Sequence, residues 1–158
     1  MIVLPSFAVT LWYALSRPKW GRLVWVGLSA GMADTVNYDV LRLTLTACGF
    51  WNDFIPLIGK LLWNDSGAHW IWGYLWRYIF NGGALGVVFV AFNFRGIRSG
   101  VFFGTFVCCC LFITLVFLTG GHVHHFIRLN PFTATYAMLG HWIYGATLGS
   151  LVKNAKNV

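Results

Sequence analysis

Ionisable and strongly polar side chains sit inside the most apolar stretches of this chain. Asp34, Asn37, Tyr38, Asp39 and Arg42 lie in MADTVNYDVLR, Arg77 and Asn81 in WRYIFNGG, and His141 with Tyr144 in LGHWIYG. A charge in hydrocarbon costs about 2.5–3.5 kcal/mol on insertion scales, so each such residue is a functional-site candidate that calls for a partner at its own depth. Counted at 1.5 Å per residue from the outer ends of their runs, Arg42, Asp39 and Asp34 lie roughly 5, 9 and 16 Å in. Arg77 and Asn81 lie roughly 12 and 18 Å in, and His141 roughly 12 Å with Tyr144 a turn further. These residues are expected to form a buried polar layer in the outer half of a bundle. Charge compensation assigns Asp34 to Arg77, and Asp39 to Arg42 three residues on along one helix face. Such a layer can lock helix positions, contact a ligand or cofactor, or line a proton or ion path.

The histidines are His69, His122, His124, His125 and His141, and the middle three fall in GGHVHHFIRLNP. Imidazole is the commonest metal ligand and a usual axial ligand of haem iron. His122 and His125 share a helix face if the preceding helix continues through Gly120 and Gly121, and His69 or His141 would then complete a site for Zn²⁺ or Cu²⁺. The glycine pair argues instead that the helix stops there. His141 is flanked by Gly140, Gly145, Ala146 and Gly149. Small residues let a planar ring approach, so His141 can ligate haem or a chlorophyll-type pigment; the same residues equally suit a helix–helix contact with His141 hydrogen-bonded across it.

The elements that must position these groups are apolar runs at about residues 23–45, 69–94 and 101–120, with a weaker one at 133–152. About 20 residues at 1.5 Å rise cover a hydrocarbon core of ~30 Å, so the runs read as membrane-spanning helices. The fold class expected is all-α: a polytopic integral membrane helical bundle of four transmembrane helices in a single domain. Residues 2–15 add a short apolar helix, either a fifth crossing or an interfacial segment. Residues 54–63 have apolar positions at near-helical spacing and predict a short helix on the membrane surface. Trp51, Trp63, Trp70, Trp72 and Trp76 cluster near this boundary as an aromatic belt would.

Composition agrees. Of 158 residues, 58% are hydrophobic and only 9% charged, against about 25% charged in a soluble domain. The net charge of +7 needs no nucleic acid to explain it. Arg17, Lys19, Arg22, Arg95, Arg98, Lys153 and Lys156 fall on one side if the runs alternate, which puts that side and the C-terminus in the cytoplasm. Consecutive Cys108, Cys109 and Cys110 point about 100° apart around a helix and cannot converge on one metal, so they read as packing residues. The sequence carries no CxxC, P-loop, Rossmann or Gly-x-Ser-x-Gly pattern and no nucleophile–base pair, which leaves catalysis without a candidate residue.

Gly27, Gly31 and Ala33 in the first run, the outer FIPLIGKLLW segment followed by His69 and Gly73, and the closing His141-Trp-Ile-Tyr144-Gly145 resemble a group of small bacterial four-helix membrane proteins of unknown function. That group carries His-x-x-Tyr-Gly in its last helix. The resemblance covers about residues 22–152 and implies architecture, with no chemistry to carry over. The N-terminal segment, the Asp39–Arg42 pair and the His-rich loop depart from it.

Two functions follow as expectations. The first is an accessory subunit of a larger membrane complex, respiratory or photosynthetic, that packs on lipids, pigments and partner subunits through its aromatic and small-residue faces. The alternative is a small ion, proton or metal transporter that uses the buried Asp, Arg and His layer.

Overall fold

The computed structural model describes Trp12, Ser16 and residues 18–63, 69–118 and 131–153. Among the described residues the fold is all-helical. Helix α1 runs Pro18–Ala47, α2 Ile55–Trp63 and α3 His69–Trp76. A π-helical segment, Arg77–Ala84, continues α3 directly into α4, Leu85–Ala91, so the three make one rod. Helices α5 (Gly96–Leu118) and α6 (Pro131–Lys153) complete the bundle. Each apolar run is thus the body of one rod, and the short helix expected over residues 54–63 forms as α2. The helices outrun the apolar residues at their starts, because Pro18 and Pro131 are pre-set for a first helical position that needs no N–H donor. The segment at residues 2–15 lies almost wholly outside the described residues.

Two chain reversals have the same physical cause. At the end of α1, the Gly49 and Phe50 amides donate to the Thr46 and Leu45 carbonyls at 3.0 and 2.9 Å, with Gly49 at φ +76°. After α4, Asn93 at φ 57° plays the glycine's part: its amide donates to Val90 and that of Phe94 to Phe89. Both are left-handed caps that satisfy the last helical carbonyls, and Asn is the side chain that tolerates this backbone best after Gly.

Helix α1 is the middle of the bundle, with the π segment and α4 on one side and α6 on the other; α5 packs on α6, and α2 on α3. Glycine sets the closest approaches. A Cβ on Gly100 would overlap the Gly145 carbonyl and one on Gly145 the Gly100 carbonyl, so α5 and α6 touch backbone to backbone. Gly31 meets the Gly82 carbonyl in the same way, which seats the π segment on α1. The pairings Gly27 with Gly86, Gly100 with Gly145 and Tyr38 with Gly140 make each packed pair of rods antiparallel. Exposed Arg22, Arg95, Arg98 and Lys153 therefore gather at one end and Asp53 and Lys60 at the other.

The apolar core sits toward the first of these ends, where Ala30 of α1, Phe89 and Val90 of α4, Phe103 of α5, and Tyr144, Leu148 and Val152 of α6 converge. Toward the second end the interior turns polar, with Asp34, Thr35, Asp39, Arg42, Arg77 and His141 all buried. The outer faces are the reverse, carrying Trp25, Val36, Val40, Phe102, Phe106 and Trp142 exposed. Among the described residues one helix is, by length and composition, long and apolar enough to cross a membrane, α5 over Gly96–Thr114, with mean hydropathy 1.8. Polar residues and glycines lower the apolarity of α1 and α6, and the third rod is divided by its π segment. The aromatic boundary is mixed: Trp70 is exposed, whereas Trp51 is buried and Trp76 stacks on Phe80 with centroids 4.2 Å apart.

Candidate functional site: a buried ion-pair network beside a solitary carboxyl

On α1 the buried positions Gly31, Asp34, Thr35, Asp39 and Arg42 follow at steps of three or four, apart from the adjacent pair Asp34–Thr35, and form one stripe. The third rod needs a register change to face it. Of its buried positions, the row Gly73, Arg77, Gly82, Gly86 and Val90 advances by four residues except for one step of five, from Arg77 to Gly82, with Gly83 and Phe89 buried beside it. In an unbroken α-helix five residues turn about 500°, which would swing Gly82 off the face that Arg77 occupies. The π segment spans that step, and its wider turns keep both residues against α1.

Asp39 is the hub. Its Oδ1 accepts Arg77 Nε at 2.7 Å and Nη2 at 2.5 Å, and Arg42 Nε at 3.0 Å. Arg42 then reaches outward, donating through Nη1 to Asp53 Oδ1 at 2.6 Å and through Nη2 to the Tyr74 hydroxyl at 2.9 Å. Asp53 also accepts the Ile55 amide at 3.1 Å, which ties the start of α2 into the network. Two guanidiniums meet two carboxylates, so the network is neutral as a whole. The expected Asp39–Arg42 pair is present, whereas the expected Asp34–Arg77 pair is corrected to Asp39–Arg77. Arg77 lies between Asp34 and Asp39 along the bundle, and its long side chain extends toward the end that carries Asp53, where Asp39 meets it.

Asp34 is left with no cation. It is fully buried, and neither carboxyl oxygen has a hydrogen-bond partner. Its neighbour Thr35 donates to the Gly31 carbonyl at 2.8 Å. Tyr144 of α6 lies within electrostatic reach of Asp34, and its hydroxyl donates to the Gly82 carbonyl over a long 3.4 Å.

Tyr38 and His141 close the layer. The Arg77 guanidinium sits over the Tyr38 ring, 4.8 Å from its centroid, and the same ring meets His141 edge-on at 5.3 Å. His141 Nδ1 donates to the Ala137 carbonyl at 2.7 Å, since a carbonyl can only accept. The small residues around His141 do not make a berth for a macrocycle. The Tyr38 ring fills the space beside Gly140, and Gly145 and Gly149 are spent on the backbone of α5. Haem or a chlorophyll-type pigment therefore does not fit at His141.

Two members of the expected layer are elsewhere: Asn37 and Asn81 are exposed. Depth along a helix does not fix direction around it, and both point away from the buried stripe. His69 is half-buried at the start of α3. Among the described residues no three His, Cys, Asp or Glu side chains gather to hold a metal; His122, His124 and His125 lie outside the described residues. Cys108 is buried and packs as expected, whereas Cys109 and Cys110 are exposed. Asp53 and Tyr74 are the members that residue type and depth did not suggest. The signal for Asp53 is its place two residues before a helix, where an Asp side chain accepts a free amide, and for Tyr74 its spacing of three from Arg77. No protein-family model, curated protein or solved structure matches this chain.

Proposed function

We propose that this chain is a polytopic integral membrane protein of the bacterial inner membrane, with four rods crossing and the C-terminus cytoplasmic, and that it moves a small cation or proton by way of Asp34. The observation that carries the reading is the solitary, fully buried carboxyl in a bundle whose other described interior charges are matched. A protein that needed buried polar groups only to lock its helices would be complete with the Asp39 network; an unpartnered acid costs stability and is kept for what it binds. Apolar outer faces around a polar interior support the membrane setting, as do rods of about 34 Å in α5 and α6. The exposed arginines and lysine at the α1 start, the α4–α5 turn and the α6 end support the orientation.

The accessory-subunit reading drew on small-residue faces for docking. Those glycines are spent between α1 and the third rod and between α5 and α6, leaving bulky apolar surface that lipid covers as well as a partner would.

The experiment is reconstitution of the purified chain in liposomes loaded with cation- and proton-sensitive dyes. Flux that is lost in Asp34→Asn and kept in Asn37→Ala is expected. Absence of flux in the parent chain, or flux indifferent to Asp34→Asn, refutes the reading. Native mass spectrometry from mild detergent that finds a stoichiometric partner would favour the accessory subunit instead.

A further inference from the structure

Asp34 can be asked what it has room and ligands to bind. A Ca²⁺ ion takes about six to eight oxygen ligands and Mg²⁺ about six, while Zn²⁺ takes about four N, S or O ligands. Around Asp34 the polar atoms are already committed: the Thr35 hydroxyl to Gly31, and the Tyr144 hydroxyl to Gly82. The carboxyl has no exposed surface, and close glycine contacts on Gly31 and Gly82 fix the backbones on either side of it. A metal would find one carboxylate and little else. A proton needs one oxygen.

The titratable and charged groups on elements packed against α1 are Arg77 and Tyr78 of the π segment and Tyr136, His141, Tyr144 and Lys153 of α6, with Tyr136 and Lys153 toward the two ends of that helix; α4 (LGVVFVA) contributes none. On α1 itself they are, besides Asp34, Tyr38, Asp39 and Arg42, with Lys19 and Arg22 three turns or more away at its start. Both arginines are bound to Asp39, and His141 Nδ1 is bound to Ala137. Tyr144 is placed beside Asp34 by packing: its hydroxyl donates to the carbonyl of Gly82, the glycine seated on Gly31 and Thr35 next to Asp34, and that hydrogen bond is long enough to be exchanged.

We infer that Asp34 is a proton-binding site, so that the cargo of the transport reading on which this rests is H⁺, and that Tyr144 is its positioning residue. In the closed bundle the Asp34 carboxyl carries the proton. When water reaches the site, the carboxyl O–H bond breaks and the proton leaves as hydronium. The Tyr144 hydroxyl then turns from the Gly82 carbonyl to donate to the carboxylate, keeping its own proton. A proton taken up again at the carboxylate from hydronium restores the first state, and charge balances at each step.

Infrared difference spectroscopy on the full chain in lipid nanodiscs, titrated from acid to alkaline pH, tests the site directly. A carboxylic C=O stretch that vanishes on deprotonation, shifts in D₂O, is absent in Asp34→Asn and returns in Asp34→Glu is the expected result. In Tyr144→Phe the midpoint of that band is expected to rise by about one to two pH units, the size of a lost hydrogen bond to a charged acceptor. An unchanged midpoint overturns the role of Tyr144. Metal flux that depends on Asp34 without a titrating carboxyl band overturns the proton site and leaves the transport reading. A titrating band without any flux does the opposite. Circular dichroism of each variant separates both outcomes from misfolding.

Discussion

Arg77 grips a single oxygen of Asp39, Oδ1, with Nε at 2.7 Å and Nη2 at 2.5 Å. Arg42 Nε shares that oxygen at 3.0 Å, while the other oxygen of the same carboxylate is buried without a partner. One acid thus fastens the π segment to α1, and through Arg42 the fastening continues to Tyr74 of α3 and to Asp53 before α2. The strength of the arrangement lies in charge balance, which makes it sensitive to which member is removed.

Asp39→Ala leaves two buried guanidiniums with one carboxylate. The expected loss is about 3–5 kcal/mol, the cost of breaking a buried pair by deleting one partner. The double variant Asp39→Ala/Arg77→Met leaves Arg42 matched with Asp53 and fills the arginine's volume with an apolar chain. It should recover most of that loss in reversible unfolding from mixed micelles. Losses that simply add would mean that Asp39 and Arg77 are not coupled.

The π segment makes a less obvious prediction. The only five-residue step among the buried positions of that rod is Arg77 to Gly82, so deleting Ile79 converts it to a four-residue α-helical step with both residues still facing α1. This deletion is expected to keep the Arg77–Asp39 coupling energy in a double-mutant cycle. Deleting exposed Val88 from the regular helix α4 turns Phe89 and Val90 about 100° relative to Gly82 and should unfold the bundle. Equal damage from the two deletions would argue against the register explanation.

The rods were legible in the sequence because apolarity and length are properties of composition, and the α2 surface helix because its apolar spacing is helical. The network was half legible. Depth counting brought Asp34, Asp39, Arg42, Arg77, His141 and Tyr144 to one zone, and these are buried there. It also admitted Asn37 and Asn81, because rise along a helix says nothing of rotation around it. The π turn was invisible for the same reason: a change from i→i+4 to i→i+5 bonding moves a face by one residue and leaves no mark in hydropathy. Arg77 was assigned to Asp34 because a count made on backbone positions ignores how far a guanidinium reaches.

The α5–α6 contact should be intolerant of side-chain volume. Gly145→Val pushes a branched side chain into the Gly100 carbonyl, with the Gly104 amide close behind. Overpacking of this kind costs about 1–3 kcal/mol where neighbours can yield, and more against backbone. Gly49→Ala is the contrast, since nothing lies within 4 Å of its Cβ position and only its φ of +76° resists, at about 1 kcal/mol. Thermal unfolding of the two variants in one detergent gives the comparison, and a Gly145→Val variant as stable as Gly49→Ala would exclude backbone contact there.

Asp53 is the exposed end of the network, its side chain 27% accessible against 2% for Arg42. Asp53→Ala frees Arg42 Nη1 and the Ile55 amide, and because Asp53 itself is partly accessible, water can enter the space it vacates and bond both, so the global loss is expected to be only about 1 kcal/mol. The local effect should be larger. Hydrogen exchange in α2 (Ile55–Trp63) is expected to accelerate while that of α5 stays unchanged. Uniform acceleration through the bundle would mean that Asp53 supports the whole fold and does not act as a local latch.

The native cysteines test the membrane setting without engineered reporters. Cys48 lies just past α1 at the end opposite the arginine cluster and is exposed; Cys109 and Cys110 are exposed too, but on the apolar outer surface of α5. In water all three would react alike. In a bilayer, Cys109 and Cys110 face hydrocarbon, which excludes a charged reagent and disfavours the thiolate that must attack it. Single-cysteine chains in spheroplasts, treated with a membrane-impermeant maleimide, should therefore label at Cys48 and remain unlabelled at Cys109 and Cys110 until dissolved in SDS. A cysteine placed at Arg98 should label only after the membrane is permeabilised. Labelling of Cys109 and Cys110 at the rate of Cys48 would place α5 in water, and with it would fall the reading that makes Asp34 part of a path across a bilayer.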